Sequence, residues 1–192
     1  MKLYTHLWRH LTSYSNLELA FRKARKRKTK KEYVQAFEKN LDDNLAQLQL
    51  ELNFHIYTPK PLTTFIIRDP KTRKISKAEF RDRVIHHGLC NVIEPLFNQS
   101  FIHDSYANRK GKGTVKAIQC FDQFKRKVYN KETQRGYVLK ADIKHYFDEI
   151  DHKILMQIIE RKIKDAKVIW LIKKIIANQP NGGANEVFRW EI

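Results

Sequence analysis

Between Glu32 and Asn53 the apolar positions Val34, Phe37, Leu41, Leu45, Leu48 and Leu52 recur every three or four residues. That spacing makes one face of an amphipathic helix, and such a face demands a core to lie on. The leucine stripe is therefore read as packing surface, not as a cofactor box. The period returns in FRDRVIHHGLCNVIEPLF, where Phe80, Val84, Val92 and Leu96 form one stripe and Ile85, Leu89, Ile93 and Phe97 the next. A helix this broadly apolar is expected to be buried around much of its circumference, with Pro95 near its end. Helical spacing resumes through Val115, Ile118, Phe121, Phe124 and Val128, and again in two helices that carry Ile154, Leu155, Ile158 and Ile159 and then Ile169, Trp170, Ile172 and Ile176. A chain of 192 residues with this much periodic apolar surface can fold without staples.

Two segments break the helical pattern. TTFIIRDPKTRKIS is a β-branched apolar run, an Asp-Pro turn and a second extended run, the pattern of a β-hairpin with arginines flanking its tip. In GYVLKADI, Val138, Lys140 and Asp142 alternate with Leu139, Ala141 and Ile143, which predicts a strand with Asp142 near its end. Between helices lies SFIHDSYANRKGKG, a turn-rich loop with basic groups and two glycines. NLELAFRKARKRKTKK reads as a short helix dissolving into a basic run that either faces solvent or tracks a phosphate backbone.

Lysines and arginines number 38 against 21 acids, a formal net charge of +17. Such a charge attracts a polyanion, and nucleic acid is the first partner to consider. No stretch approaches the apolar length of a transmembrane helix and the N-terminus does not read as a signal peptide, so no membrane partner and a cytoplasmic location are expected. Cys90 and Cys120 lie thirty positions apart without a CxxC pair, which argues for reduced, packed thiols and against zinc. His86 and His87 face different sides of one helix and lack ligand spacing; one is expected packed and the other exposed.

Asp142, at a predicted strand end and five residues before the aromatic Phe147, is the arrangement a nucleotidyl transferase needs. Its carboxylate and the Ile143 carbonyl are hard oxygen ligands suited to Mg²⁺. A flat ring at Phe147, beneath an incoming sugar, excludes a 2′-hydroxyl and so favours dNTP over NTP. Asp151, directly before HKILMQII, reads as a helix N-cap, and Asp148 as a turn former.

Those residues resemble a family. LKADIKHYFDEIDHKIL is similar to the first catalytic motif of reverse transcriptases of the bacterial retroelement type, which includes group II introns, retrons and diversity-generating retroelements. FIIRDPKTRKISKAEFRDRVIHHGLCNVIEPLF resembles the fingers of the same family, and SYANRKGKGTVKAI its following template-contacting loop and helix. Among subfamilies, ISKAEFRDRVIHHGLCNVIEP with YANRKGKGT is most similar to the diversity-generating type. The resemblance runs from about Asn16 to about Ile176 and implies an α+β fold: the fingers and truncated palm of a right-hand polymerase, mostly helical with a β-hairpin and a palm strand.

It implies domains at 1–135 (N-terminal helices and fingers), 136–180 (first part of the palm) and 181–192 (a divergent or truncated tail). It implies an RNA-directed DNA polymerase with Asp142 catalytic and metal-binding together with Ile143. Arg73 would grip the nucleotide triphosphate, and Arg68 is either a second phosphate contact or a solvated strand residue. Tyr106 and Arg109 would contact template base and backbone. Two Mg²⁺ ions, an RNA template, a DNA primer, dNTPs and a small basic accessory protein complete the expected partners. The family's Gly-x-Pro-x-Gly segment, Tyr-x-Asp-Asp hairpin and thumb are not found in the sequence, which ends QPNGGANEVFRWEI, so the isolated chain is expected to be inactive. The competing readings are a non-catalytic RNA-binding module and a template-independent nucleotidyl transferase.

Overall fold

The structure is a computed structural model and describes residues 2–70, 72–129, 135–143, 146 and 149–178. Among these it holds eight helices and one two-stranded antiparallel sheet, the mostly helical architecture expected. The chain forms two compact units, residues 1–95 with 145–192, and residues 96–144. No described helix is long and apolar enough to cross a membrane.

In the first unit α1 (Trp8–Leu11) turns into α2 (Tyr14–Arg25), whose N-terminus is capped by the Ser13 hydroxyl accepting from the Asn16 amide at 3.3 Å. α2 buries Leu17, Ala20, Phe21 and Ala24 and ends where the basic run begins, since like charges one turn apart repel. The single helix expected over 32–53 is two: α3 (Glu32–Lys39) and α4 (Leu41–Asn53). Asn40 leaves the helical region at φ −122° and ψ 49°, and Asn44 Nδ2 donates to the Phe37 carbonyl at 2.9 Å across the break. The apolar stripe survives it, with Val34, Leu45, Leu48 and Leu52 all buried.

β1 (Thr63–Ile67) and β2 (Arg73–Lys77) form the expected hairpin, Phe65 opposite Ile75 and Ile67 opposite Arg73. α5 (Phe80–Asn98) buries Phe80, Val84, Ile85, Gly88 and Leu89 in its first half and continues past Pro95. It lies close on α2: a Cβ at Gly88 would already touch Asn16, Leu17 and Ala20 at 3.5–3.8 Å. Asn16 exploits that approach, donating to the carbonyls of Leu11 (2.8 Å) and Gly88 (3.1 Å) and accepting from Asn91 Nδ2 (2.9 Å). Phe80 meets Phe21 and Phe37 at centroid separations of 6.1 and 5.2 Å, both edge to face.

α7 (His152–Glu160) and α8 (Ala166–Ala177) close this unit against the N-terminus. Tyr4 pairs with the strand-like turn between them, its amide donating to Lys162 O at 2.8 Å and its carbonyl accepting from the Lys164 amide at 2.9 Å. Asp151 caps α7 as expected, and Asp165 caps α8 while also accepting from the Trp8 amide at 2.9 Å.

The second unit holds the end of α5, the glycine-bearing loop and α6 (Thr114–Val128). α6 has the expected extent, yet its apolar stripe stands open: Val115 is 72 % and Val128 64 % exposed. The predicted strand over 136–143 differs from the structure. Those residues carry no ladder hydrogen bonds to any described strand, and Tyr137, Val138, Leu139 and Ile143 are exposed. Alternation alone does not make a strand; a neighbour must supply the other half of each backbone hydrogen bond. Cys90 and Cys120 are free thiols. His86 and His87 are both half-buried, not one packed and one exposed, because the broad apolar girth of α5 covers both flanks.

Candidate nucleotide and nucleic-acid site

In the first unit, Arg68 and Arg73 stand at the far end of the hairpin, Arg68 immediately after β1 and Arg73 as the first residue of β2. Both are exposed, so their charge reaches solvent unscreened by the fold. Cross-strand contacts stiffen the arm that carries them: Phe65 faces Ile75, and the Thr64 and Ser76 hydroxyls share a hydrogen bond at 3.1 Å.

The root of that arm is tied down by a buried carboxylate that sequence reasoning missed. Asp82, fully buried near the start of α5, accepts from the Tyr57 hydroxyl and from the Lys60 amide, each at 2.9 Å. Lys60 enters the hairpin and α5 leaves it, so one side chain fastens both stems. Burial raises the Asp82 pKa, while the Lys60 amide, the Tyr57 hydroxyl and Arg81 pull the other way. Burial, then the Asp82 charge, push the Tyr57 phenol far above its ordinary value. Arg81 pairs with Glu51 of α4 beside this cluster. Tyr57 lies in an aperiodic stretch 25 residues before Asp82, so no spacing rule links them.

In the second unit the loop before α6 is knitted by its own polar groups. Arg109 donates from Nε to Asn98 Oδ1 at 2.8 Å and from Nη1 to the carbonyls of Ile102 and Ser105, both at 3.1 Å, with its guanidinium 5.5 Å from the Phe101 ring centroid. Tyr106 donates to Asp104 Oδ1 at 3.0 Å, where Cys120 Sγ also donates at 3.5 Å. Hydrogen bonding with Cys120, then the remaining contacts, hold the Tyr106 phenol above its usual value. His103 and then Tyr106 hold Asp104 below the ordinary carboxylate value. Gly111 and Gly113 take positive φ of 74° and 102°, backbone that a side chain would strain.

Asp142 and Ile143 also belong to this unit, exposed on the segment without strand pairing. Phe147 and Asp148 lie outside the described residues. Among the described residues no group of three or more His, Cys, Asp or Glu side chains converges on a metal position.

Hairpin, α5, glycine-bearing loop and Asp142 all lie within residues 60–192. A family model described as reverse transcriptase (RNA-dependent DNA polymerase) matches residues 60–192. This chain belongs to the reverse transcriptase family. Reverse transcriptases are generally metal-dependent. The chain is similar to Protein YkfC of Escherichia coli K12, 29 % identical over 135 residues that make up 69 % of this chain and 35 % of that protein. It is similar to the group II intron-encoded protein LtrA of Lactococcus lactis, 24 % identical over 138 residues, 70 % of this chain and 22 % of the relative. It is also similar to nuclear intron maturase 1 of Arabidopsis thaliana mitochondria, 29 % identical over 108 residues, 54 % of this chain and 14 % of the relative. The chain thus spans about a third or less of the length of each of these relatives.

Proposed function

We propose that this chain carries the fingers (within 1–135) and the first part of the palm (136–180) of an RNA-directed DNA polymerase. One observation carries the reading: the family match runs unbroken from the hairpin through Asp142, so the candidate phosphate grips and the candidate metal ligand fall in one continuous reverse transcriptase segment. In this reading Arg73, with Arg68, holds the triphosphate of a dNTP. Asp142 and the Ile143 carbonyl contribute oxygen ligands to Mg²⁺, which when bound neutralises phosphate charge and activates a primer 3′-hydroxyl. Two oxygens alone would not hold such an ion, so further ligands would have to join Asp142 and Ile143. Phe147 sorts dNTP from NTP by bulk, and Tyr106 offers a ring to a template base. Arg109 already spends its donors on Asn98, Ile102 and Ser105, so it supports template binding chiefly by shaping the loop.

The test is primer extension on an RNA template of defined sequence, with this chain inside a polypeptide of the length its relatives have. The expected product is DNA complementary to the template. Products of random sequence would replace copying by template-independent transfer. RNA binding with no extension by any variant would leave the RNA-binding module, which the +17 charge independently favours.

A further inference from the structure

We propose that the groove along α7 and α8 docks an amphipathic helix of another polypeptide, one whose apolar stripe is flanked by acidic residues. Val168, Leu171, Ile172 and Ile175 are buried, so one side of α8 already serves the core of its own unit. The other side, Ala166, Ile169, Trp170, Lys173, Lys174 and Ala177, lines an open groove. Counted from Ala166, those positions are i, i+3, i+4, i+7, i+8 and i+11. That is the spacing of a seam between two helices, carried through about three turns, ~16 Å. Ile163, in the turn after α7, adds to the apolar floor.

The wall of the groove is fixed before any partner arrives. The Trp170 ring contacts Trp8 and His55 at centroid separations of 6.1 and 5.1 Å, and the Asp165 cap of α8 holds the Trp8 amide. A preformed wall lowers the ordering entropy that binding must overcome. The groove encloses about 750 Å³, and among the described residues its lining has no hydroxyl, amide or imidazole side chain to orient a small molecule. A nucleic-acid strand would meet the lysines but leave Ile163, Ala166 and Ile169 uncovered. A row of apolar side chains covers them.

The rim sets the sign of the partner. Lys164, Lys173 and Lys174 stand around the floor with one carboxylate, Glu160, which pairs with Lys173 at 3.2 Å. Lys164 and Lys174 are exposed and form no ion pair among the described residues. Acidic flanks on an incoming helix meet those ammonium groups, whereas basic flanks are repelled. The rim therefore disfavours a basic accessory protein at this face, and the +17 charge disfavours a second copy of the chain.

The test uses neither nucleotide nor metal, so its outcome stands apart from the polymerase reading. The probe is a fluorescein-labelled synthetic helix of about 14 residues, with leucines at the spacing of three and four and glutamates on either side, titrated with the whole chain. One control peptide carries lysine for every glutamate, and another has the same composition in an order without a stripe. The glutamate helix should bind, and both controls at least about tenfold more weakly. Lys164→Glu and Lys174→Glu should each weaken its binding about tenfold, Ile169→Asp should abolish it, and the control Lys39→Glu on α3 should leave it within about twofold. The lysine helix should gain affinity for the Lys164→Glu, Lys174→Glu double variant. Both lysines are exposed, so their variants keep the test decisive if Ile169→Asp fails to fold. Equal binding of the stripeless peptide, or unchanged affinity in both folded lysine variants, would overturn the proposal. RNA binding or self-association that Ile169→Asp removes, with no uptake of the glutamate helix, would overturn it as well.

Discussion

Asp82 shows how one buried side chain sets the posture of an exposed arm. Its oxygens are filled by Tyr57 and the Lys60 amide, so Asp82→Ala strands the buried Tyr57 hydroxyl and the part-buried Lys60 amide at once. The expected loss is about 2–4 kcal/mol, while Tyr57→Phe, which keeps the ring and the Lys60 bond, should lose only about 1–2 kcal/mol. Urea unfolding measures both, and equal losses would show that the Lys60 link holds nothing. His86 gives a pH signature. Burial, His87 and Arg83 depress its pKa to about 4, so the folded state resists a proton that the unfolded chain accepts from about pH 6.5 downward. Stability should therefore be full above that value and fall toward pH 4, by on the order of 3 kcal/mol. His86→Gln should flatten this limb of the stability–pH curve, and an unchanged limb would assign it to other groups.

At the scale of elements, the two C-terminal caps make a controlled pair. Asp151 and Asp165 each accept from two first-turn amides, but Asp165 also holds the Trp8 amide. Asp151→Ala should cost about 1 kcal/mol, a usual capping loss, and Asp165→Ala clearly more, with the N-terminal segment released as well. Amide exchange at Trp8 and Tyr4 separates the two effects: fast exchange only in Asp165→Ala is the expected result. Asp151 as a cap, the hairpin and the spans of α5 to α8 were legible because each has a local signature in caps, turns or period. The break at Asn40 was not, because the leucine stripe runs through it; Asp42 and Asp43 in the first turn of α4 were the overlooked sign of a new start. The segment around Asp142 was misread as a strand because alternation records which residues share a face and not whether a partner is present. Arg73 and Arg68 were named from the family resemblance and Asp142 from its place before Phe147, whereas the Asp82 cluster joins residues 25 positions apart that no spacing rule links.

Across the whole molecule, charge and family agree on the kind of partner. A chain at +17 presents its excess charge to a polyanion, and residues 60–192 match a family that works on nucleic acid. Asp142 is proposed above as a metal-binding carboxylate of a template-copying polymerase. The most direct measurement compares wild type with Asp142→Ala in single-nucleotide primer extension on RNA, with dNTP and Mg²⁺, in a polypeptide of the relatives' length. Extension should fall at least a hundredfold in Asp142→Ala while RNA affinity is unchanged, about 3 kcal/mol of transition-state stabilisation. Undiminished extension by the folded Asp142→Ala protein would show that Asp142 holds no catalytic metal.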